Sequence, residues 1–94
     1  MYRLPVLNTI KNNVGNFLLT EGLNIDDFWI GKCNPKKLEL FVFTTKRTTD
    51  QIQKTITVLE KYKPSFAGIV KLTDNIVCLD ITNVYLEEAP NISD

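Results

Sequence analysis

The sequence predicts an α+β fold, a four-stranded antiparallel sheet with two helices on one face, in the order α-β-β-α-β-β. Three observations carry this. Two segments repeat apolar residues at spacings of three and four. Two others pair alternating apolar runs across turn signals. And "WIGKCNPKKLELFVF" slides onto "GIVKLTDNIVCLDI" with Ile30 over Ile69, Lys32 over Lys71, Phe41 over Leu79 and Phe43 over Ile81, a weak self-similarity of helix-hairpin halves.

The first helix is read in "LPVLNTIKNNVGNFLLTEG". Val6, Ile10, Val14, Phe17 and Leu18 form its stripe. Pro5 suits the first turn, where its missing N–H is not needed, and Gly22 suits the residue past the end. Gly15 marks a close approach or a kink. An alternative makes "YRLPVL" a strand and gives a ferredoxin-like arrangement with an extra strand, but Pro5 argues against it.

A short helical turn at "NIDDF" precedes a strand from Phe28 to Cys33, a turn at Asn34–Lys37 and a returning strand from Leu38 to Thr45. The second helix is "TTDQIQKTITVLEKYKP". Thr48 and Gln51 have capping-box spacing, Asp50 meets the helix dipole, Ile52, Ile56, Leu59 and Tyr62 form the stripe, and Pro64 stops it after Lys61 and Lys63. The last hairpin turns at Asp74–Asn75. A two-residue turn there pairs Leu72 with Val77 and Val70 with Leu79, and the strand is expected to run on past Asp80. Asp80 itself reads as a solvent-side residue paired with Lys71. The tail 87–94 is acidic, lacks a pattern and is expected to be flexible.

The returning strand "KLELFVFTT" has apolar residues on both sides, Leu38, Leu40 and Val42 on one and Phe41 and Phe43 on the other. Two helices cover one face of a sheet. The self-similarity places Phe41 and Phe43 under the helices with Trp29, Val70 and Leu72. A four-residue turn at Asn34–Lys37 instead pairs Lys32 with Glu39 and puts Phe28, Ile30, Phe41 and Phe43 on one face, with Trp29, Leu38, Leu40 and Val42 on the other. In either case at least three large apolar side chains stay on the uncovered face. Each forgoes ~1.5–3 kcal/mol of burial, and a contiguous patch of that kind marks a contact surface. The expected partner-binding residues are Leu38, Leu40, Val42, Lys36, Lys37, Ile69 and Lys71.

Length and composition set the limits. Ninety-four residues at 44% hydrophobic fit a single globular domain over 1–94 with one modest core. Apolar runs of about four residues are far below the ~20 that span a bilayer, and the opening residues show no signal-peptide core, so a soluble, cytoplasmic protein is expected. Asn, Lys, Ile and Thr, with A/T-rich codons, point to an AT-rich genome, viral or low-GC bacterial. Two cysteines, Cys33 and Cys78, are too few for a disulfide framework. The chain has no histidine, which removes the commonest general base and metal ligand. Nucleophile elbow, P-loop and Gly-x-Gly-x-x-Gly are all missing, so no catalytic residues, no metal and no cofactor are expected.

Net charge is zero but uneven. Residues 32–71 hold nine basic and three acidic groups, and the rest hold two basic and eight acidic. The expected function is a small non-enzymatic interaction domain, a regulator, inhibitor or complex subunit, associating with itself or a protein partner through an apolar sheet face. The alternative is a nucleic-acid binder that uses the basic 32–71 region and sheet aromatics, with weak, salt-sensitive affinity.

Overall fold

The computed structural model describes residues 4–45, 49–62 and 68–88. The chain is α+β, with three helices and four antiparallel strands: α1 (Leu4–Thr20), a 3-10 turn (Ile25–Asp27), β1 (Phe28–Ile30), β2 (Glu39–Thr44), α2 (Thr49–Glu60), β3 (Gly68–Thr73), β4 (Ile76–Asp80) and α3 (Thr82–Glu88). The sheet order is β1-β2-β4-β3. The strand alternative for the N-terminal segment does not form, since Leu4–Leu7 are helical. The expected cap at Thr48 and stop at Lys63 and Pro64 lie outside the described residues.

Helix α1 buries Val6, Leu7, Ile10, Val14 and Leu18. It ends because Gly22 takes a φ of 99°. That conformation lets Gly22 N–H reach Leu19 O at 3.2 Å and Leu23 N–H reach Leu18 O at 3.1 Å, the paired bonds of a glycine-terminated helix. Leu18 and Leu23, joined by the second bond, are both in the core. Gly15 is not forced by crowding: a Cβ there would stand 3.6 Å from Ile30 Cγ1, an ordinary contact. Helix α2 buries Ile52, Thr55, Val58 and Leu59. Beyond its end, Tyr62 meets Phe17 edge-on at 4.5 Å between ring centroids, and Lys61 bridges to Glu21 at 2.7 Å.

Helix α3 corrects the expectation of a continuing strand. Asp80 Oδ1 accepts from Thr82 N–H at 3.0 Å and from Thr82 Oγ1 at 2.7 Å. This Asx-type turn reverses the chain, and Tyr85 N–H then donates to Ile81 O at 2.8 Å. Val84 and Tyr85 are buried, and α3 packs on α1. Asp80 is therefore a turn-forming residue, and Lys71 instead pairs with Asp74 at 3.6 Å.

The last hairpin also departs from the expected register. Thr73 pairs with Ile76, as a two-residue turn requires, but an irregularity between Lys71 and Thr73 shifts the ladder. Val70 then lies opposite Cys78, and Lys71 opposite Val77. The extra residue of a bulge does this, and it moves Val70 to the face opposite Val77 and Leu79.

Candidate interaction face

The strand with two apolar sides has one side in the core. Trp29 pairs with Phe43 and Ile30 with Val42; Leu40 pairs with Leu79 and Val42 with Val77. Leu40, Val42, Val77 and Leu79 are all 0% exposed, in one core with Phe28, Leu38 and the buried stripes of the helices. Phe41, Phe43, Trp29 and Val70 are outside that core. The self-similarity's grouping of Phe41 and Phe43 with Trp29 and Val70 is kept, but on the face away from the core, and its match of Phe41 to Leu79 fails, because β2 sits one residue out of step with that alignment: Leu40, rather than Phe41, stands beside Leu79.

The structure scatters the residues expected to bind a partner. Leu38, Leu40 and Val42 are buried in the core, not set on an open face. Ile69 is partly buried against the same core. Lys36 and Lys37 are exposed on the turn before β2, and Lys71 is exposed on edge strand β3. The structure does not gather these residues into one site. The Lys32–Glu39 pair is also not formed, since Glu39 stands in a bridge with Asn34.

The opposite face lies outside this core. Thr44 N–H bonds to Asn75 O at 2.8 Å and Ile81 N–H to Leu38 O at 2.9 Å. Hydrogen-bonded pairs alternate with non-hydrogen-bonded ones along an antiparallel ladder. Glu39–Asp80, Phe41–Cys78 and Phe43–Ile76 are therefore the non-hydrogen-bonded pairs, whose side chains approach most closely. Three rows cross the sheet. Trp29, Phe43, Ile76 and Thr73 form one; Gly31, Phe41, Cys78 and Val70 the next; Glu39, Asp80 and Gly68 the third.

The first two rows are mostly apolar, and Trp29 and Val70 are 52% and 56% exposed. Trp29 stacks on Phe43. Gly31 makes room for that ring: a Cβ at Gly31 would stand 2.8 Å from Phe43 Cε2. The third row is acidic. Among the described residues, nothing stands within 4 Å of where a Cβ at Gly68, the end of this row beside Asp80, would be. Among the described residues the three rows hold no Lys or Arg.

Both thiols are shifted toward their protonated form. Both cysteines are free. Burial pushes Cys78 up to about 11, helped by its thiol donating to Glu39 Oε2 at 3.4 Å and by the Glu39 and Asp80 charges. Burial likewise raises Cys33 to about 11 against the pull of Lys11. The nucleophile is the thiolate, and it is scarce at neutral pH at these values. Among the described residues no group of three or more His, Cys, Asp or Glu could hold a metal ion, and no helix is long and apolar enough to cross a membrane.

A groove of about 540 Å³ runs between α1 and β1, with Lys11, Gly15, Leu19, Ile25 and Trp29 among its walls. Trp29 thus belongs both to the groove and to the open face. No signal in the sequence marked the face, since alternation in β2 was apolar on both sides; only the β2–β4 register distinguishes them. No family model, no curated protein and no solved structure matches this chain.

Proposed function

We propose that this chain is a small non-enzymatic interaction domain, a regulator, inhibitor or complex subunit, that holds a protein partner against the open face of its sheet. One observation carries the reading: two apolar rows, ending in the half-exposed Trp29 and Val70, lie on a face that no described helix covers. Large aromatic side chains in a contiguous patch are the usual anchors of protein interfaces.

Stacking aromatics on a sheet also serve single-stranded RNA. The charge argues for protein here, because the described face offers carboxylates where phosphates would need cations.

The test is titration with an apolar reporter dye, beside light scattering at ~100 μM, within the micromolar-to-millimolar affinity range. The folded wild type binds dye or self-associates, and Trp29→Ala with Val70→Asp abolishes this while leaving the unfolding temperature within a few degrees. Leu40→Ala, in the core, instead costs about 2–5 kcal/mol of stability. A wild type that is monomeric and binds no apolar probe defeats the proposal.

A further inference from the structure

The open face is not uniformly apolar, and its polarity is one-sided. Glu39 and Asp80 stand directly opposite each other in a non-hydrogen-bonded pair, the arrangement in which like charges repel most. Their available cancellation is small. Asp80 Oδ1 is taken by Thr82, and Glu39 Oε2 by the Cys78 thiol. These are neutral donors. Lys36 and Lys37 stand nearby in sequence, on the turn before β2, but among the described residues the ion pairs are Lys61–Glu21 and Lys71–Asp74, and neither reaches this row.

Space is left where a counter-charge would enter. Gly68 lies across from Asp80 on β3, and no described residue fills its Cβ direction. A long cationic side chain lying over Gly68 reaches the two carboxylates along the row. Its apolar neighbours then fall on Phe41, Cys78 and Val70 in the adjacent row.

Resting on the reading of the open face as a contact surface, we propose that the partner is a protein segment with an apolar stripe and a Lys or Arg at one end. The stripe covers Phe41, Phe43, Trp29 and Val70, and the cation enters beside Gly68 to neutralise Glu39 and Asp80. A second copy of this chain is the poorer occupant, because its corresponding face carries the same two carboxylates and, among the described residues, no cation. Complementary charge of this kind fixes register and speeds encounter, while the buried aromatics set the lifetime.

Trp29 is the chain's single tryptophan and sits on this face, so its emission reports occupancy directly. Two model amphipathic helical peptides serve as probes, one of Leu and Lys, the other of Leu and Glu. The Leu/Lys peptide shifts Trp29 emission to the blue and the Leu/Glu peptide binds more weakly. Glu39→Gln with Asp80→Asn, which keeps the acceptor for Thr82, weakens the Leu/Lys peptide about fivefold to tenfold, the scale of two partly exposed ion pairs. Gly68→Leu, which fills the notch, weakens it as well. Equal binding of the two peptides, or an unchanged affinity in the Gln/Asn variant, overturns the charge inference and leaves the apolar face standing. No shift with either peptide, in a wild type that also binds no apolar dye, removes both readings. Tighter binding of single-stranded RNA than of the Leu/Lys peptide overturns the choice of partner.

Discussion

Trp29 lies flat on Phe43, with ring centroids 3.9 Å apart and planes 2° from parallel. The two residues are cross-strand partners on β1 and β2. The stack holds its place because Phe43 also leans over Gly31, where a Cβ would come within 2.8 Å of the ring edge and 3.3 Å of Phe41 O. An aromatic ring over a cross-strand glycine is a recurrent way to cover a strand that lacks a side chain.

Gly31→Ala therefore forces Phe43 off its seat. The expected result is a loss of about 1–3 kcal/mol, the range for overpacking, with a changed near-ultraviolet dichroism and emission of Trp29. Gly15→Ala is the contrasting substitution. Its new methyl meets Ile30 at an ordinary 3.6 Å, and the helix gains up to ~1 kcal/mol of propensity. Chemical denaturation of both variants checks the pair. A Gly31→Ala protein with wild-type stability and unchanged Trp29 spectra contradicts the stacked geometry.

The thiols give a pH dependence of fixed sign. Cys33 and Cys78 each rise from the ordinary 9.0 to about 11 in the folded chain, chiefly through burial. Between those values the native state holds protons that the unfolded state has released. Their contribution is fully present below pH 9 and is lost as pH rises toward 11. Stability should decline across that window, and less steeply in a Cys33→Ser, Cys78→Ser variant. Glu39→Gln removes a hydrogen-bond partner and a charge that both raise Cys78, so in a Cys33→Ser background it should bring the remaining thiol's absorbance titration to lower pH. A titration that stays in place shows that Glu39 has no part in holding the proton.

How much of this was legible depended on whether a residue announced its own geometry. Pro5 and Gly22 bracket α1 because each has a backbone preference that suits only one end of a helix. Asp74–Asn75 announces a turn for a similar reason. Leu40 and Phe41 announce nothing of the kind. Both are apolar, so alternation along β2 cannot say which one meets the helices, and the β2–β4 register decides. The shift between Lys71 and Thr73 is equally silent, because no Gly marks it. Helix α3 was hidden by composition: Thr82 and Val84 are β-branched, and with Tyr85 they favour a strand on propensity alone. Packing on α1 overrides that preference, as tertiary context does for short helices. The acidic row was missed for the same reason as the face. Glu39 and Asp80 are neighbours only once the register is known.

Asp80 stands both in the acidic row and at the turn into α3, and substitutions there separate its charge from its hydrogen bonds. Its Oδ1 accepts from both the N–H and the hydroxyl of Thr82 at the point where β4 becomes α3. Asp80→Ala removes that acceptor and the charge together. The cost should be about 0.5–2 kcal/mol, the scale of losing a side chain that satisfies the first turn of a helix. The loss should be local before it is global. Tyr85 N–H, bonded to Ile81 O at 2.8 Å, should exchange with solvent faster, whereas Leu79, fully buried in the central strand β4, should keep its protection until the whole chain opens. Asp80→Asn keeps an acceptor oxygen in the same place and should restore most of the stability while leaving the charge absent. Hydrogen exchange on the two variants reads the difference. If alanine and asparagine behave alike at Tyr85, the Asx turn does not hold α3 in place. The burial of Val84 and Tyr85 against α1 would then suffice by itself, and Asp80 would be free to serve the open face alone.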